Sequence, residues 1–457
     1  SITSMRVFTS FLLLFLSFQS FTQDRIITGI IDGLPEGMVY LADFYGDQNH
    51  IIDSARSDVS GSFEMRLSGL DPGFYRLIFD QHKRIDFIYN QESVSFTSNV
   101  LNPLENLEFA VSIENLLWYD YLFRKEECQF KLELLNPLLI YYPKSTDFYT
   151  SLSAEYSSVQ IDFEDYVRSV LDLNTMTFAA KAIKIDKPFL VNLEIPLQEQ
   201  NNFIKTHYFD GIVLDDPSLL RSNIISSKII GYLALYRDPA FSKEEQEKVF
   251  IQAIDSILIR VMDDEEIYNF TLQYLIDGFE LYGFDKVITH IAEHYHPAET
   301  CVRAGEKSEL IKRMENIKKL AVGRQVPDIN ITDNNGNPFI LSEANSKYTL
   351  IIFWASWCGH CKNIMPELSG IYKDQKDNNL EIIAISVDTS HVAFEAVVKE
   401  EHFPWINYFD PLGWDSQPAK DYSIYATPSM FLLDEKRTIL AKPMDLNELK
   451  GVLADLP

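Results

Sequence analysis

The run Phe353-Trp354-Ala355-Ser356-Trp357-Cys358-Gly359-His360-Cys361-Lys362 ends an apolar strand and opens a helix with two thiols three positions apart. Upstream, Tyr348-Thr349-Leu350-Ile351-Ile352-Phe353-Trp354 is apolar almost throughout, the pattern of a central strand covered on both faces. Cysteines at i and i+3 share one face of a helix, within disulfide reach. The helix start aims free N–H groups and a partial positive charge at Cys358, which lowers its pKa and makes it the candidate nucleophile. Cys361, one turn inward, resolves a mixed disulfide by attacking Cys358. His360 adds a donor or a positive charge between them, which favours the thiolate and tilts the couple toward oxidation or isomerisation without fixing its direction. Other chemistries fit less well. A zinc site wants four ligands, and Cys358, His360 and Cys361 crowd too closely to close a tetrahedron. Haem attachment needs His directly after the second Cys, where Lys362 stands. A purely structural disulfide across so short a loop adds little stability.

Outward from this motif the pattern changes twice. Residues 321–457 alternate strand and helix, with strands at Leu380 to Val387, Met430 to Leu433 and Ile439-Leu440 and a helix at His391 to Lys399, and predict an α/β domain. Residues 114–320 are predicted to be all-α. Val249, Phe250, Ala253, Ile254, Ile257, Leu258 and Val261 mark one helix face, and Ser242 with Glu245 forms a capping box at its start. Further helices are expected around 218–236, 267–282 and 308–319. The aromatics Tyr119, Tyr121, Phe123 and Tyr141-Tyr142 are read as helix packing. His290, His294 and His296 suggest a metal, but Ile291 occupies the place where a zinc-protease helix needs its Glu, so they are read as ordinary helix histidines. Residues 23–113 show short apolar runs broken by turns at Asp58-Val59-Ser60-Gly61 and Asp71-Pro72-Gly73, with glycine where a positive φ is easiest. An antiparallel β-sandwich is expected there.

The 353–362 run together with Pro366 resembles the thioredoxin superfamily, and the surrounding lengths resemble its TlpA-like exported branch. The match runs from about Val322 to the C-terminus. Val326-Pro327-Asp328, Asp333 to Gly336 and Leu341 look like that branch's entry segment, and Ala426-Thr427-Pro428 looks like its cis-proline loop. The resemblance implies a thioredoxin-like fold in which Pro428 packs against the disulfide while the backbone at Thr427 pairs with an incoming polypeptide; Trp357 and Gly359 join them as candidate substrate contacts. Cys-Gly-His-Cys itself is similar to the tetrapeptide of protein disulfide isomerases. Many relatives carry a buried acid in the strand before the motif or three residues after the second Cys. Here Ile352 and Ile364 hold those places, so His360, water or the substrate must move the proton of Cys361. Residues 23–113 resemble the β-domain that often precedes such modules in exported bacterial proteins.

The chain has 457 residues, room for roughly three domains. Its net charge of −27 repels phosphate backbones and anionic headgroups and argues against nucleic acid as a partner. Met5-Arg6 followed by the apolar run Phe11 to Leu16, then Gln19-Ser20, reads as a signal peptide over residues 1–22, because the run is shorter than the ~20 residues a bilayer span needs. The expected place is therefore the periplasm or cell envelope, without stable membrane insertion, where Cys128 and Cys301 either bond to each other or stay as buried thiols. No metal and no cofactor is called for. The expected activity is thiol–disulfide oxidoreduction on protein thiols or disulfides, fed by a membrane or periplasmic electron donor. The competing class is a non-enzymatic envelope binding or adaptor protein, motivated by more than two thirds of the chain carrying no chemistry; such a protein has no need of the dithiol.

Overall fold

A computed structural model of the protein describes residues 24–80, 82–192, 195–298, 304–332, 338–375 and 379–456. The signal-peptide reading, Cys301 and Asp333 to Gly336 lie outside the described residues. The chain forms two compact units. The first ends at Pro188 and also takes in Arg221–Asn223; the second comprises Phe189–Leu220 and the chain from Ile224 onward.

The first unit begins with eight strands: β1 (Ile26–Asp32), β2 (Gly37–Tyr45), β3 (Gln48–Ser57), β4 (Ser62–Arg66), β5 (Gly73–Ile78), β6 (Arg84–Tyr89), β7 (Val94–Asn99) and β8 (Glu108–Val111). They make two sheets, ordered β4-β1-β7-β8 and β3-β2-β5-β6. Ile27, Phe63 and Phe96 from the first sheet and Leu41, Leu77 and Phe87 from the second share one buried core, so the sandwich exists. It is not wholly antiparallel. β1 and β7 run parallel from Ile27↔Val94 to Asp32↔Asn99. Turn residues specify only neighbours joined by tight hairpins, and β1 meets β7 after the chain has crossed through the other sheet. The turn at Asp58 is as expected: its carboxylate accepts from the Ser60 N–H, the Ser60 hydroxyl and the Ser62 N–H. Gly61 follows at φ +73°, where an added Cβ would lie 2.1 Å from the Ile31 carbonyl oxygen. Gly73 has a different reason to be glycine. Its φ is not positive; a Cβ there would meet Arg221 at 2.7 Å, and the next amide, Phe74 N–H, donates to the Arg221 carbonyl at 2.7 Å.

Three helices complete this unit: α1 (Ile113–Tyr141), α2 (Asp147–Leu173) and α3 (Phe178–Asp186), capped by the side chains of Ser112, Thr146 and Thr177. Asn115 at the start of α1 takes both backbone groups of Ile88 at 2.7 Å, replacing a ladder partner that β6 lacks. Buried Glu114 accepts from the amides of Phe178 and Ala179, so one carboxylate ties α1 to the positive end of α3. Of the aromatics read as packing, Tyr121 is buried, whereas Phe123 and Tyr141 lie exposed.

The second unit continues with α4 (Leu197–His207), α5 (Ile224–Ala234), α6 (Lys243–Val261), α7 (Glu265–Leu281), α8 (Asp285–His294) and α9 (Ala304–Lys319). The α6 capping box is present, and the face predicted from spacing is the buried one, from Phe250 to Val261. The stretch read as one helix near 218–236 is a short 3₁₀ turn at Pro217–Leu220 and then α5. The helical region thus serves both units, α1 to α3 in the first and α4 to α9 in the second.

The remaining elements are β9 (Asn330–Thr332), β10 (Pro338–Ile340), β11 (Tyr348–Trp354), α10 (Gly359–Gln375), β12 (Leu380–Ser386), α11 (His391–Glu401), β13 (Ile406–Phe409), α12 (Gln417–Asp421), β14 (Ser429–Asp434), β15 (Ile439–Ala441) and α13 (Leu446–Asp455). Five strands form a sheet ordered β13-β12-β11-β14-β15, parallel on one side of β11 and antiparallel on the other. Every residue of β11 is buried, which explains its unbroken apolar sequence.

Replacing Gly61 with Ala forces a β-carbon onto the Ile31 carbonyl in a left-handed backbone, and is expected to cost about 2 kcal/mol or more in denaturant unfolding. Gly69→Ala, at φ +94° with no atom within 4 Å of the new carbon, is the control and should cost less.

Candidate functional site

The site grows from the end of β11. The chain leaves the sheet at Trp354, turns through Ala355 and Ser356, and enters α10 at Gly359, so Cys358 occupies the capping position of the helix. There its sulfur does what a cap side chain does: the Cys361 N–H donates to Cys358 Sγ at 3.2 Å. The Cys358 thiol in turn donates to the Thr427 carbonyl at 3.4 Å. Cys358 is 8% exposed and Cys361 is fully buried, so one sulfur borders the surface and the other lies behind it. Burial opposes charge on Cys358. Hydrogen bonds from the Cys361 thiol and from the backbone amides of Cys361 and His360 outweigh it, and hold the pKa below the ordinary thiol value. Burial, then the hydrogen bond with Cys358, pushes Cys361 up to about 12. The two thiols are thus divided into an ionisable outer one and a protonated inner one.

The candidate substrate contacts gather round this pair. The Thr427–Pro428 peptide bond is cis. Trp357 is 59% exposed beside Cys358, and its ring centroid lies 6.2 Å from that of Trp414. Gly359 and His360 are both exposed; a Cβ at Gly359 would touch nothing, and His360 reaches the Cys358 sulfur through its backbone amide. At the positions where relatives carry an acid, Ile352 is fully buried and Ile364 half-buried.

Two residues near the site were not legible in the sequence. Asp388, two places past β12, is 1% exposed and folds under the turn that leads to Cys358. It accepts from the Ser356 N–H at 2.8 Å, the Ser356 hydroxyl at 2.7 Å and the Ser386 hydroxyl at 2.7 Å. A buried carboxylate is tolerated when donors replace its water, and these donors fix the backbone two residues before the nucleophile. The other residue is Trp414, in a 3₁₀ turn at Gly413–Asp415. Gly413 has φ +57°, and a Cβ there would lie 2.9 Å from the Val387 carbonyl, so this turn sits directly on the end of β12. Neither has a local signal: an Asp after a strand and a Trp in a loop acquire these roles only through partners far along the chain.

The remaining sequence candidates lie elsewhere. His290 Nε2 bonds Asp255 at 2.7 Å, the Tyr295 hydroxyl donates to the same carboxylate, and His294 stacks on His290 while bonding its carbonyl. Among the described residues no group of three potential ligands converges on a point. Cys128 is a buried free thiol on α1 whose sulfur lies 3.9 Å from the Val159 carbonyl, and burial raises its pKa.

A five-stranded sheet whose central strand delivers a paired thiol to the start of a helix, opposite a cis-proline loop, defines a dithiol module of thioredoxin fold. The AhpC/TSA family matches over residues 322–442. A curated thiol-disulfide oxidoreductase ResA of Bacillus thuringiensis is 27% identical over 134 residues, 29% of this chain and 72% of that protein. The thioredoxin-like protein YneN of Bacillus subtilis is 28% identical over 120 residues, 26% of this chain and 68% of its own. Among solved structures, a thiol-disulfide oxidoreductase from Bacteroides fragilis is 30% identical over 29% of this chain and all of its own, with a TM-score of 0.28. A thioredoxin-like protein from Bacteroides caccae is 18% identical over 59% of this chain and 98% of its own, with a TM-score of 0.44. The C-terminal domain is a TlpA-like member of the thioredoxin superfamily.

Asp388→Ala leaves the Ser356 amide and two buried hydroxyls without acceptors, and is expected to destabilise the protein by ~3 kcal/mol and lower its disulfide-exchange rate. Chemical denaturation and a turnover assay check this; unchanged stability would remove the carboxylate from its place under the active-site turn.

Proposed function

We propose that the protein is an exported thiol–disulfide oxidoreductase that exchanges disulfides with protein clients through Cys358 and Cys361. The enzyme class follows from the family and the dithiol; the residue roles, the direction and the cellular place are our reading. The observation that carries it is the contrast between the two sulfurs: Cys358 borders the surface with its thiolate favoured, and Cys361 is enclosed with its proton retained.

In the reduced enzyme the Cys358 thiolate attacks one sulfur of a client disulfide. A mixed disulfide forms, and the other client sulfur leaves as thiolate. Cys361 then loses its proton to water, to His360 or to the departing client sulfur, and attacks Cys358. The Cys358–Cys361 disulfide closes, the second client sulfur is released, and two electrons have passed to the client. The reverse sequence oxidises a client dithiol. The interactions that favour the thiolate also favour the reduced enzyme, which makes its disulfide the more oxidising. The Thr427 carbonyl offers the client backbone a hydrogen-bond acceptor. Trp357, with Trp414 beside it, offers an apolar flank, and Gly359 leaves the approach to Cys358 open. Pro428 bounds the site from the opposite loop.

Export rests on the charged start, short apolar run and polar end of residues 1–22, and would place the exchange in the periplasm or cell envelope with a membrane or periplasmic electron donor. Among the described residues no helix is long and apolar enough to cross a membrane.

Cys358→Ser is expected to abolish insulin disulfide reduction, with a fall of at least ~100-fold, while Cys361→Ser should accumulate a mixed disulfide that is visible by mass and reversed by dithiothreitol. Substantial turnover by the Cys358→Ser variant would refute the mechanism.

A further inference from the structure

The loop that carries Pro428 is tied to the helical part of the same unit through one side chain. Between α12 and β14, Tyr422 and Ile424 are buried, and the Tyr422 hydroxyl donates to the Pro327 carbonyl at 2.8 Å. The loop then comes out to the surface. Tyr425 is 67% exposed and Ala426 is exposed with it, before Thr427 returns to Cys358. A surface stretch of this kind moves unless something ties it down. The Ser429 hydroxyl donates to the Ala426 carbonyl at 2.9 Å, a bond internal to the loop. The Tyr425 hydroxyl reaches outside it, to the carboxylate of Glu280 near the end of α7. Burial of that hydroxyl, then the bond to Glu280 and the charge of its carboxylate, hold the phenol pKa above its ordinary value, so the group keeps its proton and stays a donor.

Glu280 is itself fixed from behind. Asp277 and Glu280 stand one turn apart on α7, and Arg313 of α9 forks between them, with Nη1 at 2.5 Å from Asp277 and Nη2 on Glu280. One guanidinium cannot neutralise two carboxylates, and the Tyr425 hydroxyl is a further donor to the surplus charge. The chain just past Glu280 packs against the dithiol module. Gly283 stands at φ +67°, where a Cβ would lie 2.5 Å from Met444 Cγ, and Asp285 pairs with Lys442 at 2.6 Å. The end of α7 is therefore a fixed point, and Tyr425 passes its position to the loop two residues before Thr427.

We infer that Glu280 is a positioning residue for client binding: held by Arg313, it fixes the Tyr425 hydroxyl and, through it, the Thr427 carbonyl that pairs with the client backbone. The inference rests on the disulfide exchange proposed above and gives the helical region a part in it. Its effect falls on binding, because the donors that favour the Cys358 thiolate come from Cys361 and His360, which this bond does not touch.

Tyr425→Phe removes the hydroxyl alone, at an exposed position where folding is not at stake. With dithiothreitol as reductant, it should raise KM for insulin about 5- to 10-fold and change kcat less than ~2-fold, with the thermal unfolding midpoint unmoved. Glu280→Leu should raise KM by a similar factor, and Glu280→Gln, which keeps an acceptor oxygen, should recover most of the loss. The double variant Tyr425→Phe with Glu280→Leu should be no worse than the poorer single one, since both remove the same bond. A wild-type KM in Tyr425→Phe would overturn the inference and leave the exchange mechanism standing. So would KM effects that multiply in the double variant, or a loss confined to kcat. A wild-type chain unable to reduce insulin would instead remove the exchange mechanism, and this inference with it.

Discussion

The proposed chemistry depends on the hydrogen bonds that Cys361, through its thiol and its amide, gives to the Cys358 sulfur. A buried thiol resists ionisation, and Cys358 at 8% exposure is buried enough to feel that resistance. The Cys361 thiol opposes it most, and the amide of that third helical residue, in the geometry by which a serine caps a helix, adds to it together with the His360 amide. A sulfur in this place satisfies donors that the helix would otherwise leave unpaired, so helix formation and thiolate stabilisation are one event. The same donors cannot serve Cys361, which lies one turn further in and keeps its proton.

The surrounding fold holds that geometry in place. β11 is buried along its whole length and emerges at a fixed point between β12 and β14. Asp388, from the end of β12, holds the turn at Ser356, and the Val387 N–H donates to the Trp354 carbonyl at 2.9 Å just beside it. The loop before β14 brings Thr427 to the sulfur. Three neighbouring strands thus fix the nucleophile from three sides. α6 and α8 brace the same unit through ion pairs of Lys243 with Glu448 and of Lys442 with Asp285, the latter little exposed.

Local features of the sequence carried much of this. The dithiol, its helix start and the apolar strand before it are contiguous, so spacing alone located them. The α6 face and its Ser242–Glu245 cap were legible for the same reason. Features set by distant partners were not. β3 is exposed along nearly all of its length and shows no clean alternation. β6 and β8 lack strong turn signals, and the parallel join of β1 to β7 depends on a path through another sheet. Asp388 and Trp414 become part of the site only when strand ends meet. Phe123 and Tyr141 look like core residues by type, yet the helix turns them outward, because composition does not say which side of a helix its neighbours cover.

The central claim is that the fold lowers the pKa of Cys358 against its burial, and the most direct test is the pH dependence of its alkylation by iodoacetamide, followed by mass spectrometry of the 358–361 peptide in the reduced full chain. The account predicts a midpoint below the reference thiol value of 9.0 at Cys358, with Cys361 unlabelled across the same range. A midpoint at or above that reference, or labelling of Cys361 ahead of Cys358, would contradict it.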